Sequence, residues 1–147
     1  MEAKKEEGLM ESGPAALLVS RDEETLLALK RSLEKLGMQI HVAQSCRQAR
    51  TLLGQPNPPE LVFSDPTLSD GTWADIVSSA AQASNPVPVI VVSKAVDYKL
   101  YIDALGGGAA DFIMPPFMAL DVAFVVRKVR QKALDPGHRT ALPVLVA

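Results

Sequence analysis

The stretch Leu61-Val62-Phe63-Ser64-Asp65-Pro66 determines how the rest of this chain is interpreted. Its three apolar residues have the length and composition of a buried strand. An aspartate stands where the apolar run stops, and turn-forming residues follow it, among them the pair Asp70-Gly71. In α/β proteins, ligands and chemistry gather at the carboxyl ends of the strands. Asp65 is therefore the first candidate for a functional residue.

Apolar runs alternate with helical patterns along the chain. Short apolar segments predict five strands, at 15–19, 38–43, 60–64, 87–92 and 109–114. Apolar residues at helical spacing predict five helices, at 23–36, 47–53, 72–83, 95–105 and 120–134. This alternation predicts an α/β fold in which a parallel sheet lies between two layers of helices.

Composition narrows the class of protein. A length of 147 residues is enough for one domain with its own core. A net charge of -2 without a basic stripe gives no reason to expect nucleic acid. No apolar run reaches the roughly 18 residues of a membrane span, and the charged segment 1–7 is not a secretory signal. The single cysteine, Cys46, fits a reducing compartment and a buried structural role. We therefore expect a cytoplasmic globular protein.

The ends of the chain differ from its middle. Residues 1–14 are charged and then small, which is typical of a disordered lead, and we expect the domain to cover 15–133. Residues 134–147 follow as a tail or linker. The apolar segment 142–146 could pack on this domain, pack on a partner or connect to a further region.

Residues 15–132 resemble the receiver domain of two-component response regulators. The resemblance rests on four segments in this order: 61–65, Leu68-Ser69-Asp70-Gly71, the strand ending in Ser93, and 108–113 leading to Pro116-Phe117. It implies a flavodoxin-like (CheY-like) α/β fold with three layers, α/β/α. Its five-stranded parallel sheet would have the strand order 2-1-3-4-5.

The resemblance also implies a chemistry for Asp65, which is to accept a phosphoryl group from a histidine kinase. A carboxylate that attacks an anionic phosphoryl group needs its charge neutralised. The family uses a Mg²⁺ ion held by two acids after the first strand, by the phosphoacceptor and by a carbonyl two residues later, here that of Thr67. A hydroxyl at the end of the fourth strand, here that of Ser93, and a lysine at the end of the fifth complete the family's site.

Two of these parts are missing from the sequence. The acid-pair positions hold Ser20 and Arg21, and the lysine position holds Pro115. We therefore predict an atypical receiver, or pseudo-receiver, that is not an enzyme, needs no cofactor and is phosphorylated weakly or not at all. We also predict that Arg21 lies near Asp65 and partly occupies the ion site. Alternatively, phosphotransfer persists, Asp22 substitutes for the lost acids, and Mg²⁺ binds Asp22, Asp65 and Thr67.

Several neighbouring residues admit two interpretations. Ser93 could bind a phosphoryl oxygen or its own backbone, and Lys94 could lean over the pocket or be solvated. Phe112 stands at the family's aromatic switch position and is otherwise a core residue. The sequence also predicts a cis bond between Pro115 and Pro116.

The resemblance implies partners as well. A histidine kinase or an output protein would bind this domain, and a homodimer could form through the face at 97–132. Exposed candidates on that face are Tyr98, Tyr101, Arg127 and Arg130. We expect neither nucleic acid nor membrane as a partner of this chain. An unrelated flavodoxin-like enzyme is disfavoured, because no second acid, base or cofactor loop accompanies Asp65 in sequence.

Overall fold

The computed structural model describes residues 14–114 and 119–134. Seven strands and five helices lie within these ranges. The strands are β1 (Ala15–Val19), β2 (Gln39–Ala43), β3 (Leu61–Ser64), β4 (Thr67–Leu68), β5 (Gly71–Thr72), β6 (Val89–Val92) and β7 (Asp111–Ile113). The helices are α1 (Glu23–Glu34), α2 (Cys46–Leu53), α3 (Trp73–Ala81), α4 (Tyr98–Gly106) and α5 (Ala119–Leu134).

The main sheet has five parallel strands in the order β2-β1-β3-β6-β7. Because β4 and β5 belong to a separate small ladder, this is the predicted order 2-1-3-4-5, and the predicted fold class is confirmed. Strand β3 lies at the centre, between β1 and β6. The residue that follows β3 therefore emerges between the ends of two neighbouring strands.

Alternate residues of the central strands pack on opposite faces of the sheet, as expected where both faces are covered. On one face, Leu61 and Phe63 pack with buried residues of α1 and α5. On the other face, Val62 packs with buried residues of α2 and α3, and Val91 packs with Ala104 of α4. These layers bury every residue of β3 and leave its carboxyl end to carry polar groups.

Local signals explain where the helices begin and end. The side chains of Asp22, Ser45, Thr72 and Asp97 cap the N-termini of α1 to α4 by accepting backbone N–H groups. Helix α4 begins at Tyr98, so the predicted start at residue 95 was wrong, because Asp97 supplies the cap. Gly37, which follows α1, has a φ of +78°, a backbone conformation that favours glycine.

The loop after β3 holds the main feature that the sequence did not predict. Residues Thr67–Leu68 and Gly71–Thr72 pair as a short antiparallel ladder, where the sequence had indicated only turn-forming residues. This ladder brings the chain from the end of β3 directly into α3. It also holds Asp70 at a fixed place beside the start of α2.

Other predictions fall on residues outside this description. The lead over 1–14 and the tail over 134–147 lie almost wholly outside the described ranges, as do Pro115, Pro116 and the peptide bond between them. Over 14–114 and 119–134, none of the helices has the length and apolar character needed to cross a membrane.

Candidate functional site

Asp65 lies at the carboxyl end of β3, where the sequence placed it. Its backbone N–H donates to the carbonyl of Val19 at 2.9 Å, which fixes Asp65 beside the end of β1. Its side chain is half-buried, and its Oδ1 atom is fully buried with no hydrogen-bond partner among the described residues. A buried oxygen of a carboxylate normally has a partner, so this atom is the most unusual polar group of the pocket.

Ser20 and Arg21 follow β1 and flank Asp65. Ser20 is buried, and its hydroxyl accepts the backbone N–H of Asp22 at 3.0 Å. Arg21 is exposed, and within the described ranges no ion pair joins its guanidinium to Asp65. The described contacts therefore give no support to the prediction that Arg21 pairs with Asp65, and its occupation of the ion site stays a prediction. The backbone N–H of Arg21 is among the groups that lower the pKa of Asp65.

Asp22 serves two partners. Its Oδ2 atom accepts the backbone N–H of Thr25 at 2.9 Å and the hydroxyl of Thr25 at 2.7 Å, which caps α1. Its Oδ1 atom lies 3.4 Å from Nζ of Lys94. The bonds from Thr25 and then the charge of Lys94 hold the pKa of Asp22 below its ordinary value of 3.8. The acid that could substitute for the lost pair is thus already engaged on both oxygens.

Lys94 supplies the positive charge that the sequence had led us to expect from Arg21. It follows β6 and reaches Asp22, which follows β1, across the end of the intervening strand β3. Its side chain is 63% exposed and therefore solvated, and its charge still acts on both Asp22 and Asp65. The sequence allowed Lys94 either to lean over the pocket or to be solvated and could not distinguish the two. The contact with Asp22 joins residues 72 positions apart, so it depends on the folded sheet.

Five influences act on the ionisation of Asp65. Burial is the largest and raises the pKa of Asp65 above its ordinary value of 3.8. The hydroxyl of Ser20, the charge of Lys94 and the backbone N–H of Arg21 lower it, and the nearby charge of Asp22 raises it. Desolvation prevails, so Asp65 holds its proton more tightly than a free aspartate.

The two predicted switch positions are engaged within the protein. The Ser93 hydroxyl donates to the carbonyl of Ala95 at 2.6 Å and accepts the N–H of Ala95 at 3.2 Å. Phe112 is buried and meets the ring of Tyr101 edge to face, with 5.6 Å between centroids. Ser93 thus binds its own loop, and Phe112 packs as a core residue.

The donor set can be tested against Mg²⁺, the ion that the family resemblance implies. Mg²⁺ requires several oxygen ligands in a nearly octahedral arrangement. Within the described ranges, no group of three or more acids, histidines or cysteines could hold a metal ion. Asp22 and Asp65 are the acids of the pocket, and an ammonium group lies beside Asp22. The residues present do not fit the family's magnesium site.

Asp70 and its surroundings form a second polar cluster, which sequence reasoning treated only as part of a motif. The Asp70 carboxylate accepts the N–H groups of Cys46 at 2.7 Å and Arg47 at 3.0 Å, at the start of α2. Cys46 is buried, and burial together with the charge of Asp70 raises the pKa of its thiol to about 11. Cys46 is thus protonated at neutral pH, which agrees with a structural role.

With this geometry established, comparison with known proteins identifies the family. The family model for the response regulator receiver domain matches residues 16–126, which is most of the chain. The protein therefore belongs to the response regulator receiver domain family. This family consists of signalling domains of two-component systems.

Relatives of known name agree with this assignment. The chain is 28% identical over 109 residues to the photosynthetic apparatus regulatory protein RegA of Rhodovulum sulfidophilum, with 74% of this chain and 59% of RegA covered. It is 31% identical over 102 residues to the KDP operon transcriptional regulatory protein KdpE of Escherichia coli, with 69% of this chain and 44% of KdpE covered. The chain thus spans only about half the length of these relatives.

Solved structures agree as well. The non-phosphorylated HemR receiver domain from Leptospira biflexa superposes with a TM-score of 0.66 at 27% identity, with 79% of this chain and 93% of that domain covered. A response regulator receiver domain protein from Clostridium thermocellum gives a TM-score of 0.71 at 22% identity, with 83% and 99% covered, which supports the fold alone.

Proposed function

We propose that this receiver domain signals by binding other proteins inside the cell and that phosphorylation of Asp65 is weak or absent. The observation that carries the proposal is the charge arrangement around Asp65. The family's acid pair is replaced by Ser20 and Arg21, and Asp22 is held by Thr25 and Lys94. A carboxylate without a divalent cation repels an anionic phosphoryl donor, since both reactants are negative.

The face at 97–132 is the proposed contact surface. Its exposed apolar side chains include Tyr98, Ile102 and Leu105 on α4 and Phe124 on α5, with exposed fractions from 39% to 66%. Arg127 is exposed on α5, whereas Arg130 binds both oxygens of Glu60 and is committed within the domain. A histidine kinase, an output protein or a second copy of this chain would bury this surface.

One observation favours a second candidate function, in which Asp65 still accepts a phosphoryl group. Asp65 keeps the position at the end of β3, and its Oδ1 atom has no hydrogen-bond partner among the described residues. A carboxylate oxygen free of partners is a better nucleophile than one engaged in hydrogen bonds.

Intact-mass spectrometry after incubation with Mg²⁺ and a small phosphodonor separates the two candidates. We expect the mass of the protein to stay unchanged, and a typical receiver domain treated in parallel should gain one phosphoryl group. A gain of one phosphoryl group that Asp65→Asn abolishes would overturn the proposal and establish the second candidate.

A further inference from the structure

Lys94 is placed to act on both acids of the pocket. Its Nζ atom lies 3.4 Å from Oδ1 of Asp22, and its charge also favours the ionised form of Asp65. The negative charge of Asp22 also disfavours the ionised form of Asp65. The pocket thus has two carboxylates that repel each other and one ammonium group that compensates them.

Lys94 and a divalent metal ion would reach the carboxylates of the pocket in different ways. A divalent ion must be recruited from solution, but the ammonium group of Lys94 is tethered to the end of β6 by its own side chain. A tethered group acts at an effective concentration set by its own side chain, so it competes with a dissolved ion for the same carboxylate. A divalent ion that used Asp22 would also have to tolerate the positive charge of Lys94 nearby.

We propose that Lys94 is the resident cation of the Asp65 pocket and the residue that determines its selectivity against divalent metal ions. The proposal deepens the proposed function and rests on it, because it names what takes the place of the family's metal ion. Loss of the family's acid pair weakens the metal site. The ammonium group of Lys94 then supplies the positive charge beside Asp22.

Substitution of Lys94 tests the proposal directly. Lys94→Met keeps most of the side-chain stem and removes the charge, and the exposure of Lys94 allows this change without disturbing the core. Isothermal titration calorimetry measures the affinity for a metal ion without a reporter group in the pocket. We expect Lys94→Met to bind Mn²⁺ or Mg²⁺ about two- to fivefold more tightly than the wild type in this titration, because an exposed ion pair with Asp22 is weak.

Two controls separate charge from structure. Lys94→Arg keeps the positive charge and should bind the metal ions as weakly as the wild type. Lys99→Met removes a lysine that is paired with Asp103 on α4, at 2.9 Å, and should also leave metal binding unchanged. In a Lys94→Met/Asp22→Asn double variant, the gained affinity should disappear, because Asp22 is the acid that Lys94 holds.

Two results would overturn the proposal: equal metal affinity in the wild type and Lys94→Met, or an equal gain in Lys99→Met. Failure of the proposed function is recognised separately. Phosphorylation of wild-type Asp65 would contradict the proposed phosphorylation-independent function, whatever the metal titrations show. Unchanged metal binding in Lys94→Met would contradict only the role of Lys94.

Discussion

The Oδ1 atom of Asp70 accepts the backbone N–H of Cys46 at 2.7 Å, and this bond joins the loop after β3 to the start of α2. The other carboxylate oxygen accepts the N–H of Arg47 at 3.0 Å. Asp70 therefore caps α2 from a distant part of the chain, in addition to the local cap from Ser45. Helix N-termini favour such a negative charge because their N–H groups lack partners. The loop that carries Asp65 is fixed to the fold by this contact.

Removal of the Asp70 carboxylate should lower thermal stability. We expect Asp70→Ala to lower the unfolding temperature measured by circular dichroism, because two N–H groups of α2 lose a charged acceptor. Ser69→Ala changes an exposed neighbour in the same turn and is the matched control. An equal loss in both variants would show that the turn, and not the cap, is responsible.

Stability should also depend on pH through Asp70. The bonds from Cys46 and Arg47 lower the pKa of Asp70 below 3.8. The folded state therefore binds this proton less tightly than the unfolded state, so the stabilisation is complete above pH 3.8 and is lost as the pH falls through the folded pKa. The stability difference between wild type and Asp70→Ala should shrink over this acid range in unfolding curves.

Asp65 should show the opposite dependence. Burial raises the pKa of Asp65 above 3.8, so the folded state binds this proton more tightly than the unfolded state. The favourable contribution is present below pH 3.8 and is lost as the pH rises through the folded pKa. We expect Asp65→Asn to unfold at a higher temperature than the wild type at neutral pH, with the gain diminishing in acid. A variant less stable than the wild type at neutral pH would contradict this account.

Adjacent glycines at the end of α4 should respond differently to alanine. A Cβ atom at Gly107 would lie 2.6 Å from Cη2 of Trp73, whereas a Cβ atom at Gly106 would meet nothing within 4 Å. We expect Gly107→Ala to destabilise the domain by about 1–3 kcal/mol through overpacking and to shift the fluorescence of Trp73. Gly106→Ala should be neutral or stabilising by up to about 1 kcal/mol. Denaturant unfolding of both variants checks this pair, and equal values would refute the contact.

The buried thiol should be unreactive in the folded protein. Because the pKa of Cys46 is raised to about 11 and its residue is 3% exposed, we expect slow alkylation at neutral pH. In denaturant, where the pKa returns toward 9.0, alkylation should become rapid. Mass spectrometry reads the result without ambiguity because the chain has one cysteine. Equal rates in both conditions would contradict the burial of Cys46.

The proposed contact surface can be tested with one matched pair. Ile102 on α4 is 65% exposed and Leu27 on α1 is 50% exposed, so neither substitution disturbs the core. We expect Ile102→Glu to weaken self-association or partner binding at least about tenfold, because a charge would be buried in an apolar contact. Leu27→Glu should have no effect. Sedimentation velocity measures self-association, and equal effects of the two variants would exclude this face.

The fold followed from the sequence almost completely. Apolar runs and apolar residues at helical spacing predicted strands and helices that lie within a few residues of those observed. These signals are local, because the spacing of buried residues along one element follows from the repeat of that element alone. The start of α4 was misplaced because the aspartate cap at Asp97 was not given its weight. The ladder of β4 and β5 was missed because each of its strands has only two residues.

For the candidate site, sequence and tertiary structure contributed different parts of the description. The sequence alone determined that Asp65 ends a central strand and that carboxylates are lacking at residues 20 and 21, since both statements concern residue type and position along the chain. Only the tertiary structure decided which cation faces the pocket. Arg21 is adjacent to the site in sequence but is exposed and forms no ion pair with Asp65 among the described residues, whereas Lys94 reaches Asp22 across the end of β3. Such contacts depend on the order of strands in the sheet and on the direction of each side chain, and neither is encoded in a local pattern.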